Sequence, residues 1–277
     1  MISRAKRFQK TIAKAGSIVG LGIHSGKKTT LRLEPAPVGQ GIQFFQKGVA
    51  VPETILNTSR CTSIGTGTLQ VQTVEHLLAA LSGLEITNIR IEVDGEEIPG
   101  LDGSALEFVN LFKNLGIEEQ KEEAPVFKIK EPVFFYENQK ALAAYPDDAF
   151  SVAYTLDYPH PLLRAQTVDF KLTPDTFVNQ IAPARTFCTS REAEEVQKNG
   201  KGLGATLNNT LVIGDEGPLG NQFRFPDECA RHKVLDIIGD LYLLGFPIQA
   251  RVIGLRSGHS LNRKLVEYIK KQQRGES

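Results

Sequence analysis

Residues 73–81 read TVEHLLAAL, and the placement of this stretch decides the fold. Val74, Leu77, Leu78 and Leu81 recur at helical spacing on one face, so the pattern predicts a short helix. Glu75 and His76 sit side by side within it. Burying either without a partner costs several kcal/mol. Either both face solvent, or partners reach them from elsewhere in the chain.

A second helix of similar character lies downstream. In the first half, strand-like KKTTLRLEPA (27–36) precedes the helix TVEHLLAALSGL (73–84), the strand NIRIEV (88–93) and the helix SALEFVNLFKNLG (104–116). In the second half, strands VFKIKEPVFFY (126–136), FSVAYTLDY (150–158) and TVDFKL (167–172) lead to DECARHKVLDIIGDLYLLG (227–245). The strand IQARVIGL (248–255) and the helix SLNRKLVEYIKK (260–271) then close the chain. Helices stop at Gly, the expected C-terminal signal. Ser104 and Ser260 stand at equal separations after His76 and His232, each as the expected cap of a closing helix. The segment GIEEQKEEAP (116–125) is charged, aperiodic and ends in Pro, which marks it as a linker. The reading is a duplicated α+β unit, residues 1–123 and 124–277. Each repeated domain has a sheet and two helices, with the helices sandwiched between the two sheets. A site built by both repeats would lie between the helices.

Charge narrows the partners. Lys plus Arg and Asp plus Glu each number 32, so no global field draws the chain to nucleic acid or an anionic membrane. Cys61, Cys188 and Cys229 are odd in number and contain no C-x-x-C, which fits a reducing compartment. MISRAKRFQK has no apolar core and no run approaches the length of a membrane span. The expectation is a soluble cytoplasmic monomer with a small-molecule substrate, no nucleic-acid partner and no stable membrane insertion.

On the second helix His232, Asp236 and Asp240 recur every four residues, opposite Val234, Ile237, Ile238, Leu241 and Leu244. Taken alone this is equally a solvated stripe with a weak His–Asp pair. Two polar helices in equivalent places favour more. His232 and Asp236 can clasp one metal ion, and His76 from the facing helix adds a third ligand. Two histidines and a carboxylate with an open position form a catalytic zinc arrangement, whereas structural sites use four protein ligands. Glu75 is then the candidate base for water, and the reading reaches metal-assisted hydrolysis. His259, on a turn before Ser260, fits the same site. Asp240 could hold it protonated, giving an acid or an oxyanion partner, with Lys233 and Arg256 as further positive charge.

The stretches VGLGIHSGKKTTL, TVEHLLAALSGL, IPGLDGSALEFV, ARTFC, RHKVLDIIGDLYLLG and GLRSGHSLNRKL together resemble the UDP-3-O-acyl-N-acetylglucosamine deacetylases, over about residues 7–270. That resemblance implies hydrolysis of an N-acetyl group from glucosamine, the committed step of lipid A synthesis. It implies one catalytic Zn²⁺ on His76, His232 and Asp236, Glu75 as base, and His259 as cationic acid oriented by Asp240. Thr186 would stabilise the oxyanion, Phe187 would contact the sugar, and Lys233 the sugar and phosphate. An insertion at about 188–214 would hold the acyl chain, with Ala193, Gly202, Ala205 and Thr210 leaving a channel beside Leu203 and Val212. Cys61 matches a cysteine near the metal in some members. Tyr145 stands where many carry a diphosphate-binding lysine, so diphosphate binding leans on Lys233, Arg256 and His259. Two other readings compete: a duplicated binding module with a structural metal and no turnover, and a hydrolase using Cys188.

Overall fold

A computed structural model describes residues 7–56 and 60–275. Six α-helices are present among them: α1 (Glu75–Gly83), α2 (Leu106–Leu115), α3 (Pro174–Thr176), α4 (Ser190–Lys198), α5 (Glu228–Leu241) and α6 (His259–Arg274). The two largest sheets have the same topology. In the first, the order is Gly16–Leu21, Lys28–Pro35, Ile89–Asp94, Ile42–Gln46, Val49–Ala50. In the second it is Val133–Glu137, Lys140–Tyr145, Ile248–Leu255, Phe150–Leu156, Gln166–Lys171, with Phe127–Lys128 also beside Ile248–Leu255. Each central strand enters late in its half. It runs antiparallel to one neighbour and parallel to the other in both sheets.

Alternation along the strands explains the layers. Leu31 and Leu33 pair with Val93 and Ile91, and all four are buried. Val152 pairs with Val252 in the second sheet, again buried. The opposite faces carry exposed side chains such as Val19, Phe134, Ile253 and Leu255. The inner faces share one continuous core with Leu77 and Leu78 of α1, Phe108 and Phe112 of α2, Val234 and Ile238 of α5, and Leu265 and Ile269 of α6. The α+β sandwich expected from the sequence is therefore the observed fold. Among the described residues no helix is long and apolar enough to cross a membrane.

Three local expectations are corrected. The 116–125 segment is not a free linker, because Ile117–Glu123 pairs antiparallel with Phe8–Ile12. Ser260 is not a cap, because α6 begins at His259 after Gly258. Ser104 does accept from the backbone N–H of Leu106 at 3.1 Å, although the residue flanking α2 is Ala105. As for the Gly stop signals, Gly245 (φ +76°) and Gly116 (φ +77°) end their helices, but Gly83 does not. Gly83 lies inside α1, where a Cβ would strike the Phe177 ring.

Candidate metal centre and active site

The solvent-facing option for Glu75 and His76 fails. Glu75 is 3% and His76 5% exposed, and every residue of α1 but Ser82 is buried. A helix buried all round needs close partners, and α5 supplies one. A Cβ on Gly239 would lie 2.0 Å from the Glu75 carbonyl oxygen. Glycine at that position lets the two helices approach until the first turn of α1 meets the polar stripe of α5.

Three donor atoms converge there. His232 Nε2 lies 3.4 Å from Asp236 Oδ1, and His76 Nε2 lies 3.9 Å from the same oxygen. The ligand atoms of His76, His232 and Asp236 all lie within 4.8 Å of one another, the one such group among the described residues. The imidazole rings meet edge to face, with centroids 5.0 Å apart. His232 Nδ1 is 3.0 Å from the Ala184 carbonyl, so Nδ1–H donates and Nε2 keeps its lone pair for a metal. Burial, with His232 beside it, pushes the His76 pKa down to about 3, and burial lowers that of His232. Both imidazoles are therefore neutral, as metal ligands must be. Burial opposes the charge of Asp236, but Lys233, 2.5 Å away, and the cationic His259 outweigh it and hold the carboxyl below the usual range. Two neutral imidazoles and one carboxylate suit Zn²⁺ and leave a position open.

The groups beside this centre carry opposite tendencies. Burial, aided by Asp240 and Asp236, raises the Glu75 pKa to about 8 against the pull of His259. His259 Nδ1 donates to Asp240 Oδ2 at 2.7 Å. Burial opposes the imidazolium, yet the Asp240 and Asp236 charges raise its pKa to about 9. His259 Nε2 sits 4.0 Å from Glu75 Oε1 and 3.9 Å from Asp236 Oδ2. A buried carboxyl and an imidazolium thus flank the three donors.

The expected site residues gather with one clear division. Glu75, His76, Thr186, Phe187, His232, Lys233, Asp236 and His259 all line one cavity of about 310 Å³. Thr186 precedes the strand Phe187–Thr189, which pairs parallel with Leu211–Ile213. The Phe187 ring lies 6.3 Å from His232 and 5.8 Å from Tyr158, centroid to centroid. A second cavity of about 280 Å³ shares the Glu75, His76, Thr186 and Phe187 walls and continues between Ala193, Gly202, Ala205, Thr210 and Val212. Arg256 lines a third cavity of about 550 Å³, reached past Lys233 and Tyr158. Asp240 lies behind His259, 1% exposed, and does not line the main cavity.

One expected channel position is different. Leu203 is 67% exposed and lines none of these cavities. Its backbone N–H is tied to the His24 carbonyl, which turns the side chain away from the channel. Tyr145 lies opposite Arg251 of the neighbouring strand, exposed and outside the same cavities. Burial raises the Cys188 thiol to about 11 and the Cys61 thiol to about 12, so neither offers a thiolate at neutral pH. That weighs against the cysteine-hydrolase reading.

Sequence reasoning missed Arg60, Tyr158 and Glu192, which line the main cavity. It also missed a buried support. Arg185 donates from Nε and its backbone N–H to Glu228 Oε1, fixing the segment whose Ala184 carbonyl holds His232. None of these sits in a periodic pattern. One further signal is conformational: Arg60 (φ +77°), Thr73 (φ +60°) and Arg256 (φ +53°) are left-handed non-glycine residues beside the cavities. Such strain collects at functional sites.

Comparison with known proteins adds independent findings. The profile of a family described as UDP-3-O-acyl N-acetylglycosamine deacetylase matches residues 9–271. The UDP-3-O-acyl-N-acetylglucosamine deacetylase of Thermodesulfovibrio yellowstonii is 41% identical over 94% of this chain and 92% of its own. The proteins of that name from Anaeromyxobacter sp. strain Fw109-5 and Leptospira biflexa are 43% and 38% identical. They cover 94% and 96% of this chain and 88% and 91% of their own.

Proposed function

Because the chain belongs to the UDP-3-O-acyl-N-acetylglucosamine deacetylase family, we propose that it hydrolyses the N-acetyl group of UDP-3-O-acyl-N-acetylglucosamine with one Zn²⁺ per chain, as a step of lipid A synthesis. The observation that carries this reading is the meeting of His76, His232 and Asp236 with Glu75 and His259 at the head of a channel lined by small residues. Zn²⁺ held by the three donors would supply Lewis acidity and make water nucleophilic near neutral pH.

The chain's own groups do the rest. Glu75 takes a proton from the attacking water at its carboxylate. The Thr186 hydroxyl donates to the acetyl oxygen as negative charge develops there. His259 donates its Nε2 proton to the departing nitrogen, while Asp240 holds Nδ1 and stabilises the imidazolium. The C–N bond breaks, the water oxygen stays with acetate, and the sugar keeps a free amine. Phe187 and Lys233 orient the sugar. The channel past Ala193, Gly202, Ala205 and Thr210 takes the acyl chain, and the larger cavity with Lys233 and Arg256 takes the nucleotide. Residues 1–123 and 124–277 act as two domains that each contribute part of the site, in a cytoplasmic monomer.

Acetate release from the acylated UDP-sugar tests the reading. It should require zinc, stop on chelation and resume when zinc is restored. A protein that binds zinc yet releases no acetate would instead be a binding module.

A further inference from the structure

One buried residue outside the assignments above touches both the base and the acid pair. The Thr62 backbone N–H donates to Glu75 Oε2 at 3.0 Å. Its hydroxyl donates to Asp240 Oδ1 at 2.6 Å and lies 3.2 Å from His259 Nδ1. Oδ2 of the same carboxylate accepts from His259 Nδ1 at 2.7 Å and from Asn262 Nδ2 at 2.8 Å. A carboxylate held at both oxygens cannot turn about its Cβ–Cγ bond. The hydroxyl on Oδ1 therefore fixes the direction in which Oδ2 meets the imidazole, and so the direction of Nε2.

We infer that Thr62 is a positioning residue for the hydrolysis, one residue whose backbone sets Glu75 and whose hydroxyl sets Asp240 and His259 in a common frame. The inference rests on the roles proposed for those three groups. Thr62 is buried and lines neither the main cavity nor the acyl channel, only a small space behind His259 with Leu56, Leu243 and Arg263. It has no route to substrate, so its influence falls on the chemical step. The backbone part is anchored separately, because the Thr62 carbonyl accepts from the Val74 N–H at 3.2 Å where α1 begins. Removing the hydroxyl therefore releases Asp240 while leaving the contact to Glu75.

Thr62→Val keeps the shape and the backbone contacts but loses the hydroxyl; Thr62→Ser keeps the hydroxyl. With acylated UDP-N-acetylglucosamine, Thr62→Val should lose kcat on the order of ten- to a hundred-fold through misplacement of the acid. KM should stay within a factor of about two, the mark of an interaction used after binding. Zinc content should be unchanged, and Thr62→Ser should recover most of the rate. In the metal-free protein, the downfield proton signal of His259 Nδ1–H should broaden or move in Thr62→Val and return in Thr62→Ser. Wild-type kcat in Thr62→Val, or equal losses in both variants, would overturn the inference. So would an unchanged His259 signal. Thr62→Ala is read in the same way as Thr62→Val, and loss of folding in both would make Thr62 merely structural. If the wild-type protein releases no acetate, the proposed function fails, while the metal-free signal still tests Thr62 by itself.

Discussion

Glu75 and Asp236 are both buried carboxylates, yet their neighbours drive them in opposite directions. Burial with Asp240 and Asp236 nearby raises the Glu75 pKa to about 8, whereas Lys233 and the cationic His259 keep Asp236 ionised. A ligand must stay charged, and a base must be able to take a proton, so the two environments suit the roles proposed for Asp236 and Glu75. Glu75→Gln should lose at least about 100-fold in rate while keeping zinc. Loss of zinc along with the rate would make Glu75 a ligand. The His259 pKa is raised to about 9 in the metal-free protein by Asp240 and Asp236 against burial, and a bound dication would lower it. The alkaline limb of activity should still lie above about 6.5, the free-imidazole value. Asp240→Asn should move that limb down in pH-rate profiles, and persistence of the wild-type limb in His259→Gln would assign it to another group. The sign for stability follows from the same shifts. Glu75 and His259 both hold protons more tightly when folded, so the metal-free protein should lose stability as pH rises from about 6.5 through about 9. Melting temperatures across that window should fall, and less steeply in Glu75→Gln. Thr62 could not be found from sequence, because a threonine joining two carboxylates across the fold leaves no periodic trace.

The crossing of α1 and α5 is where two elements become one site. With a Cβ on Gly239 only 2.0 Å from the Glu75 carbonyl, the helices of Gly239→Ala must part or shift. Overpacking of this kind typically costs about 1–3 kcal/mol. Gly239→Ala should therefore melt earlier and hold zinc less tightly, as read by thermal unfolding and metal titration. Unaltered zinc affinity would show that the ligands tolerate a wider crossing. The periodicity of α1 and α5 was legible because both carry apolar residues at helical spacing. The His232–Asp236–Asp240 stripe was legible because polar residues at that spacing need a reason. The ends were less so. Ile117–Glu123 reads as a linker because its strand belongs to a two-stranded ribbon with Phe8–Ile12, where charged side chains remain in water. The sequence places the start of α6 at Ser260 because serine is a good cap, but Gly258 occupies the flanking position.

At the scale of the whole molecule, two sheets of equal topology enclose helices, of which α1, α5 and α6 bring side chains to one centre. The α+β class and the duplication were readable from the order of strands and helices. The insertion of each late strand at the centre of its sheet was not, because partner choice depends on contacts distant in sequence. The channel shows a similar limit. The small residues that the resemblance puts there do line one cavity, but Leu203 turns outward because its backbone is tied to the 22–26 turn. The channel predicts selectivity: Ala193→Phe should lower kcat/KM for a long-chain substrate, leave zinc content intact and spare a short-acyl analogue. Equal losses on both substrates would place the acyl chain elsewhere. The central claim is that both halves supply ligands to one open catalytic zinc. Anomalous diffraction at the zinc edge from crystals of the zinc-loaded protein tests it most directly. The account predicts a single strong peak about 2.0–2.2 Å from His76 Nε2, His232 Nε2 and an Asp236 oxygen, with no fourth protein ligand. A peak held by one half alone, or closed by a fourth protein ligand, would contradict it.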